Sequence, residues 1–211
     1  MNCATERHGP LTDIRVIELG QIIAGPYCGQ LLGDMGADVI KVEEPVNGDP
    51  LRAWGRGGSP VAWPVAARNK RLVTADLRTA EGQSLVRQLV AKADMLLENF
   101  RPGTMERWGM GYEELSRDHE GLIMIRVSGY GQTGPYAGRA GYAAVGEAVG
   151  GMRYLCGEPD RPPSRTGLSI GDTLAATFAC NAALAALHHR DRTGEGQVLS
   201  LIHISEPTRL D

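Results

Sequence analysis

The first part of the chain alternates between strand-like and helix-like segments, and this alternation restricts the possible folds more than any other feature. Residues 14–19 form an apolar run typical of a buried strand, a helix is expected over residues 27–35, and residues 38–42 read as a second strand. The connections are too short for anything but a parallel pair of strands with the helix as crossover. The sequence therefore predicts an α/β fold.

The same alternation continues along the chain. Further strands are predicted over residues 72–76, 94–97 and 122–127, and a turn within residues 194–199 leads into another. An amphipathic helix opens at Thr79, and the Ala- and Leu-rich residues 173–188 are expected to form a long buried helix. We therefore expect a Rossmann-like open parallel sheet with flanking helices. The first loop, residues 20–26, lacks the GxGxxG pattern, so a dinucleotide is only weakly indicated.

Composition excludes several classes of partner. The 211 residues are 42% hydrophobic and 22% charged, with a net charge of -3, and they carry no basic stripe for nucleic acid or polybasic face for a membrane. The N-terminus is polar, and no apolar run approaches the length of a membrane span. The four cysteines are too dispersed for a zinc site or a disulfide framework: Cys3, Cys28, Cys156 and Cys180. We expect a cytoplasmic protein with reduced thiols and no metal.

One carboxylate stands at the start of the long predicted helix. The small-residue stretch 165–172 ends at Asp172, and Gly171 and Asp172 together form the helix entry signal. The positive end of the helix dipole is expected to favour the ionised carboxylate. Aspartate is also a common helix N-cap, so a purely structural role is the alternative to a catalytic one.

Two loops follow predicted strands at the sheet edge where open α/β sheets bind ligands. Residues 98–103 bring together an amide, an aromatic ring and a guanidinium, while residues 128–138 form a glycine-rich loop too long to be only a connector. Tyr142 follows at the start of a small-residue helix over residues 143–149. Residues 68–71 form a cationic cluster that is either a solvated patch or a phosphate site.

Short motifs follow one another in a characteristic order from residue 11 to residue 199. They are Ala24-Gly-Pro26, Gly36-Ala-Asp-Val-Ile-Lys-Val-Glu43, Asn69-Lys-Arg71, Asp76-Leu-Arg78, Glu98-Asn-Phe-Arg-Pro-Gly103, Ser128-Gly-Tyr-Gly131, Ser169-Ile-Gly-Asp172 and Arg192-Thr-Gly-Glu-Gly-Gln197. Each is weak alone, but in this order they are specific. The chain closely resembles the family III CoA-transferases, the group that includes formyl-CoA transferase, carnitine CoA-transferase and α-methylacyl-CoA racemase.

The resemblance implies two catalytic residues, Asp172 and Tyr142, and a set of CoA contacts. Asp172 would attack an acyl-CoA thioester and carry CoA as an aspartyl thioester before a carboxylic acid acceptor takes it. CoA and acyl-CoA would be substrates, with no permanently bound cofactor. The implied CoA contacts are Ile23, Ala24, Ala75, Asp76, Leu77, Arg78, Asn99, Phe100, Arg101, Arg107, Ala140, Gly141, Tyr142 and Ala143. Among these, Arg78, Arg101 and Arg107 would reach phosphate or ribose, although Arg107 is equally a solvated charge.

Three departures from the family pattern bear on the reaction. Racemases of the family place a histidine at the position of Tyr142, so the tyrosine favours transfer over racemisation. Ile23 replaces the glutamine of the formyl-CoA enzyme, which indicates a different acyl group, and Glu44 replaces an arginine that can serve CoA. A racemase using Asp172 with another base and a non-catalytic CoA-binding remnant remain as alternatives.

The resemblance also implies a domain organisation. Residues 1–10 are expected to be a flexible N-terminus, and residues 11–199 the N-terminal part of a large CoA-binding α/β domain. Residues 200–211 read as a non-native tail, since the resemblance stops there. Family chains are about twice as long, with a second, smaller domain that is absent here, and they form interlocked homodimers. On this reading the chain is an incomplete large domain whose own activity is uncertain.

Overall fold

The core of the fold is a parallel sheet of six strands. The computed structural model describes residues 8–54 and 62–202. The strands are β1 (Arg15–Glu18), β2 (Asp38–Glu43), β3 (Lys70–Thr74), β4 (Met95–Glu98), β5 (Ile123–Ser128) and β6 (Gln197–Ile202). Their order across the sheet is β3-β2-β1-β4-β5-β6, with every pair parallel. This is the strand order of a Rossmann-like sheet, so the predicted α/β fold is confirmed.

Helices cover both faces of the sheet. They are α1 (Ala24–Asp34), α2 (Ala62–Ala66), α3 (Ala80–Val90), α4 (Thr104–Arg107), α5 (Tyr112–Leu115), α6 (Ala143–Val149) and α7 (Ile170–Thr193). Alternate residues of β5 divide between two apolar clusters, since successive strand side chains point to opposite faces. Ile123 and Ile125 join the cluster beneath α1 and α7, whereas Met124 joins the cluster beneath α3 and α4. This two-sided burial explains why β2 and β5 are buried along their whole length.

Helix α7 is longer than the sequence predicted. It begins at Ile170 and ends at Thr193, with Gly194 in the left-handed conformation at its end. Its alanines recur every three or four residues, as at Ala175, Ala179 and Ala183, and this small-residue face lets α7 pack closely on α1. Asp172 does not have the N-cap position considered as its structural alternative, because Ser169 holds that position and Asp172 lies within the first turn.

The structure differs from two expectations drawn from the sequence: that no apolar run approaches the length of a membrane span, and that residues 200–211 are a non-native tail. By length and composition, α7 is apolar enough to cross a membrane, although 44% of its most apolar window is buried within the fold. Strand β6 pairs with β5 as far as Ile202, three residues into the segment expected to be a non-native tail. Residues 203–211 lie outside the described part, as do residues 1–7 and 55–61.

Candidate active site

A cavity of about 670 Å³ lies at the carboxyl edge of the sheet. The order of the strands reverses between β1 and β4, so the loops that follow these two strands run in opposite directions and leave a crevice. Residues 21–24 line it after β1, residues 99–102 after β4 and residues 127–129 at the end of β5. Residues 139–144 and the start of α7, including Asp172, close the remaining side.

Asp172 lies in this cavity with an unusual acidity. The pKa of its carboxyl is raised from 3.8 to about 6, because burial and, to a smaller extent, the nearby Glu147 carboxylate raise it while Arg165 opposes the rise. The sequence analysis expected the helix dipole to favour the ionised form. The pKa shift has the opposite direction, because desolvation and the negative charge of Glu147 disfavour the ionised form.

Glu147 and Arg165 form a charge pair beside Asp172. Glu147 belongs to α6, and its side chain is only 2% exposed. Its Oε2 lies 4.0 Å from Nε of Arg165, and Oε1 has no hydrogen-bond partner among the described residues. Arg165 lines the cavity and is half exposed. A buried carboxylate and a partly solvated guanidinium thus flank the candidate nucleophile.

The first loop is held in place from both sides. The Asn99 side chain accepts a hydrogen bond from the Gln21 N–H at 2.7 Å and donates one to the Gln21 carbonyl at 2.9 Å. Ile22 has a positive φ of 66°, which is strained for a β-branched residue. Its N–H donates to the two carboxylate oxygens of Asp49 at 3.1 and 3.2 Å. The backbone at the cavity wall is therefore fixed before any ligand binds.

A buried ion network supports Asp49. Lys41 contacts Asp49 at 2.8 Å and Glu18 at 3.1 Å, and Lys70 contacts Glu18 at 2.8 Å. Burial lowers the pKa of Lys41, but the carboxylates of Glu18 and Asp49 outweigh it and raise that pKa above the ordinary value. Lysine in a buried strand is tolerated here because two cations face two carboxylates. The network anchors the first loop to β1, β2 and β3.

The structure brings ten of the fifteen predicted site residues to the cavity. They are Ile23, Ala24, Asn99, Phe100, Arg101, Ala140, Gly141, Tyr142, Ala143 and Asp172. Tyr142 is 74% exposed at the start of α6. Residues 75–78 follow β3, two strands away from β1, and do not line the cavity. Arg107, which also lies outside it, donates to Thr104 at 2.9 Å.

Several cationic side chains that the sequence offered as phosphate contacts are paired with carboxylates of the chain itself. Arg78 donates to Asp76 at 2.9 Å and reaches Glu44 at 3.5 Å. In the cluster of residues 68–71, Arg68 donates to Asp34 at 2.9 Å, Lys70 is buried against Glu18, and Arg71 donates to Asp38 at 2.8 Å; each cation therefore has a carboxylate partner. These contacts favour a structural role for the cluster over a phosphate site.

Other cavity residues were not identified from the sequence. Trp54 and Arg139 line the cavity, with the Arg139 guanidinium 4.2 Å from the centre of the Tyr136 ring. Arg165 begins the small-residue stretch that ends at Asp172, but that stretch gave no reason to assign it a role. Glu147 belongs to a short helix of small residues, where a lone carboxylate was the only signal in the sequence. Among the described residues, no group of three or more His, Cys, Asp or Glu could hold a metal ion.

Comparison with known proteins gives consistent matches. The model of CoA-transferase family III matches residues 11–206. A succinyl-CoA--D-citramalate CoA-transferase from Chloroflexus aurantiacus is 62% identical, and the match covers 91% of this chain and 48% of the relative. A succinate--glutarate CoA-transferase from Agrobacterium fabrum is 43% identical, with 92% of this chain and 51% of the relative covered. The chain spans about half the length of the curated relatives it matches.

Solved structures agree with these matches. The crystal structure of a CAIB/BAIF family protein from Brucella suis superimposes with a TM-score of 0.88 and 43% identity. That match covers 93% of this chain and 54% of the other. A D175A mutant of the protein Rv3272 from Mycobacterium tuberculosis gives a TM-score of 0.84 at 35% identity, covering 93% of this chain and 54% of that one.

Proposed function

Because this chain belongs to CoA-transferase family III, we propose that it supplies the nucleophile and CoA-binding cavity of an enzyme that moves CoA between two carboxylic acids. The names of similar proteins include succinyl-CoA, citramalate, malate, glutarate and mesaconate. These acids all carry two carboxylates. We therefore propose short dicarboxylic acids as the exchanging partners, with succinyl-CoA as a donor.

The observation that carries the proposal is the position of Asp172. A carboxylate at the N-terminal turn of a 24-residue helix lies in a cavity at the switch point of a parallel sheet. With a pKa of about 6, the carboxyl is roughly nine-tenths ionised at pH 7. Since it is also partly withdrawn from water, it is available as a nucleophile at neutral pH.

The proposed reaction consists of two acyl exchanges. An Asp172 oxygen attacks the thioester carbonyl carbon of the donor, the C–S bond breaks, and a mixed anhydride and CoA thiolate result. The thiolate attacks the Asp172 carbonyl, which releases the donor acid as a carboxylate and leaves an aspartyl-CoA thioester. The acceptor carboxylate repeats both steps in reverse and regenerates Asp172. No net proton transfer is required.

The surrounding loops have separable roles in this scheme. The fixed backbone at Ile23 and Ala24 and the residues 99–101 are proposed to hold CoA, whose reactive sulfur would lie next to Asp172. The N–H groups of the first turn of α7 are proposed to stabilise the negative charge that develops on the reacting carbonyl oxygen, because the helix dipole is positive there. Tyr142 lines the cavity and is proposed as a contact near the reacting groups.

The assembly is part of the proposal as well. The relatives are about twice as long as this chain, and we propose that the active enzyme is a cytoplasmic, interlocked homodimer with a second, smaller domain. Exposed apolar side chains on α7 and just before it, among them Phe178 and Leu168, provide surface for the remainder to cover.

The test follows CoA directly. The complete gene product that contains this chain is incubated with succinyl-CoA and glutarate, malate or citramalate, and new acyl-CoA is separated by chromatography. Asp172→Asn should lose transfer at least ~10³-fold, since the nucleophile is removed, while Asp160→Asn, a change at an exposed carboxylate that lines no cavity, should not. Retained turnover in Asp172→Asn would remove Asp172 from the mechanism. Deuterium entering the α-carbon from D₂O without exchange of CoA would support the racemase instead.

A further inference from the structure

Arg165 lies in the same cavity as Asp172, and its guanidinium is half exposed. We infer that Arg165 is the recognition site for the second carboxylate of the acyl group, so that it selects dicarboxylic over monocarboxylic acids. The inference rests on the proposed function, since it assigns a residue to the substrate class named there. A second carboxylate bound at Arg165 would place the first within reach of Asp172.

The state of the Arg165 side chain distinguishes it from structural arginines. Arg126 is 8% exposed and bonds to Glu98 and Glu106, and Arg52 holds both oxygens of Glu43. Among the described residues, Arg165 forms one ion pair, from Nε to Glu147 at 4.0 Å. The Nη1 and Nη2 groups of the guanidinium carry further N–H donors, and an arginine can hold a carboxylate through parallel hydrogen bonds.

The other cavity arginines are less suited to this role. Arg101 follows β4 within the segment proposed to hold CoA. The Arg139 guanidinium lies over the Tyr136 ring, which engages its face. Of these three arginines, Arg165 is the one whose charge acts on the pKa of Asp172. Because Arg165 and Asp172 also line the same cavity, a carboxylate bound at Arg165 would face the nucleophile.

Glu147 acts in this account as a positioning residue. It is buried on α6, and α6 packs against α7, so its carboxylate is a fixed point beside the first turn of α7. The attraction between Glu147 and Nε restrains the Arg165 side chain toward the cavity. A fixed counter-charge also limits the attraction of Arg165 for Asp172 itself, which leaves the guanidinium available to substrate.

The experiment compares acceptors that differ in one carboxylate. In the complete gene product that contains this chain, kcat/KM is measured for succinate against butyrate and for glutarate against valerate, with Arg165→Gln, Arg165→Lys and wild type. Arg165→Gln should lower kcat/KM for both dicarboxylic acids by about 10- to 150-fold, the value of hydrogen bonds to a charged group. The monocarboxylic acids should change less than about threefold, and Arg165→Lys should recover part of the loss.

A matched control and a binding measurement keep the outcomes separate. Arg161→Gln, at an exposed arginine of the same segment that does not line the cavity, should behave as wild type. Equilibrium dialysis with radiolabelled succinate should show weaker binding to Arg165→Gln than to wild type. Equal losses for dicarboxylic and monocarboxylic acids, or no loss, would overturn the inference. If wild type transfers CoA to none of these acids, the proposed function fails. Independently of that result, equal succinate binding by Arg165→Gln and wild type would overturn the inference.

Discussion

Gly129 and Gly141 pass so close to each other that a Cβ on Gly129 would lie 2.6 Å from the Gly141 carbonyl oxygen. The contact joins the end of β5 to the segment that precedes α6, and both glycines line the cavity. Sequence analysis treated the glycine-rich loop as one that serves a site. The structure gives the reason for glycine at these two positions: the two backbone segments are in direct contact there, and a side chain on Gly129 would collide with Gly141.

Gly129→Ala should therefore displace the Gly141 segment and weaken CoA binding. Overpacking of this kind costs typically about 1–3 kcal/mol, which corresponds to roughly 5- to 150-fold in Kd if it falls on binding. Gly138→Ala is the matched control in the same loop, because a Cβ there meets nothing within 4 Å and its φ is not positive. Calorimetric titration with CoA measures both. Equal affinities in the two variants would contradict the role given to the contact.

The pH dependence of transfer should report the Asp172 carboxyl. Its pKa of about 6 means that protonation removes the nucleophile as pH falls through 6, so kcat/KM should decline about tenfold per pH unit below that point. Glu147→Gln removes one cause of the raised pKa and should move this decline to lower pH. Glu158→Gln, at an exposed carboxylate, serves as the control. A decline that stays in place in Glu147→Gln would exclude Glu147 as a cause.

Asp172 should also reduce stability at neutral pH. Its folded pKa of about 6 exceeds the ordinary 3.8, so the folded state binds the proton more tightly and ionisation favours unfolding. The cost is complete above pH 6 and disappears as pH falls below about 4. Asp172→Asn should raise the free energy of unfolding by about 1–3 kcal/mol at pH 7.5 and by little at pH 4. Urea unfolding at both values tests this, and a constant difference between the two proteins would refute it.

The buried network beneath the first loop should be sensitive to its carboxylates. Asp49→Ala leaves Lys41 with Glu18 as its one carboxylate partner and frees the strained Ile22 N–H. Removing one member of a buried ion pair costs about 3–5 kcal/mol, so a large fall in the urea midpoint is expected. Asp160→Ala, at an exposed site, should change the free energy of unfolding by less than about 0.5 kcal/mol. A similar effect of both variants would show that the network contributes little.

Much of the fold could be predicted from hydrophobic periodicity and turn residues. The helix over Ala143–Val149 has its predicted bounds, and the parallel α/β sheet is confirmed. Strand β3 was placed two residues late, because it is an exposed edge strand and lacks the apolar run that marks a buried one. The predicted start of α7 was too late, because Ser169-Ile-Gly precedes the alanine-rich pattern and Asp172 was taken as part of the helix entry signal.

The candidate site could be predicted where loops follow strands in sequence. Asn99 was expected to contact CoA. In the structure its side-chain amide forms two hydrogen bonds with the backbone of Gln21, a long-range contact that no local sequence pattern predicts. The sequence placed Lys41 in a strand and gave it no further role, whereas in the structure it is 1% exposed and paired with Glu18 and Asp49. Glu147 on α6 meets Arg165 in the segment that precedes α7. Charge networks of this kind depend on tertiary contacts, and the sequence alone gives only their members.

The most direct test of the account is a search for the aspartyl-CoA thioester on Asp172. The complete gene product that contains this chain is incubated with succinyl-CoA alone, quenched in acid, digested and analysed by mass spectrometry. We predict CoA on the peptide that contains Asp172, its conversion to a hydroxamate by hydroxylamine, and its absence in Asp172→Asn. Full transfer activity with no adduct on this peptide, or an adduct on another carboxylate, would contradict the account.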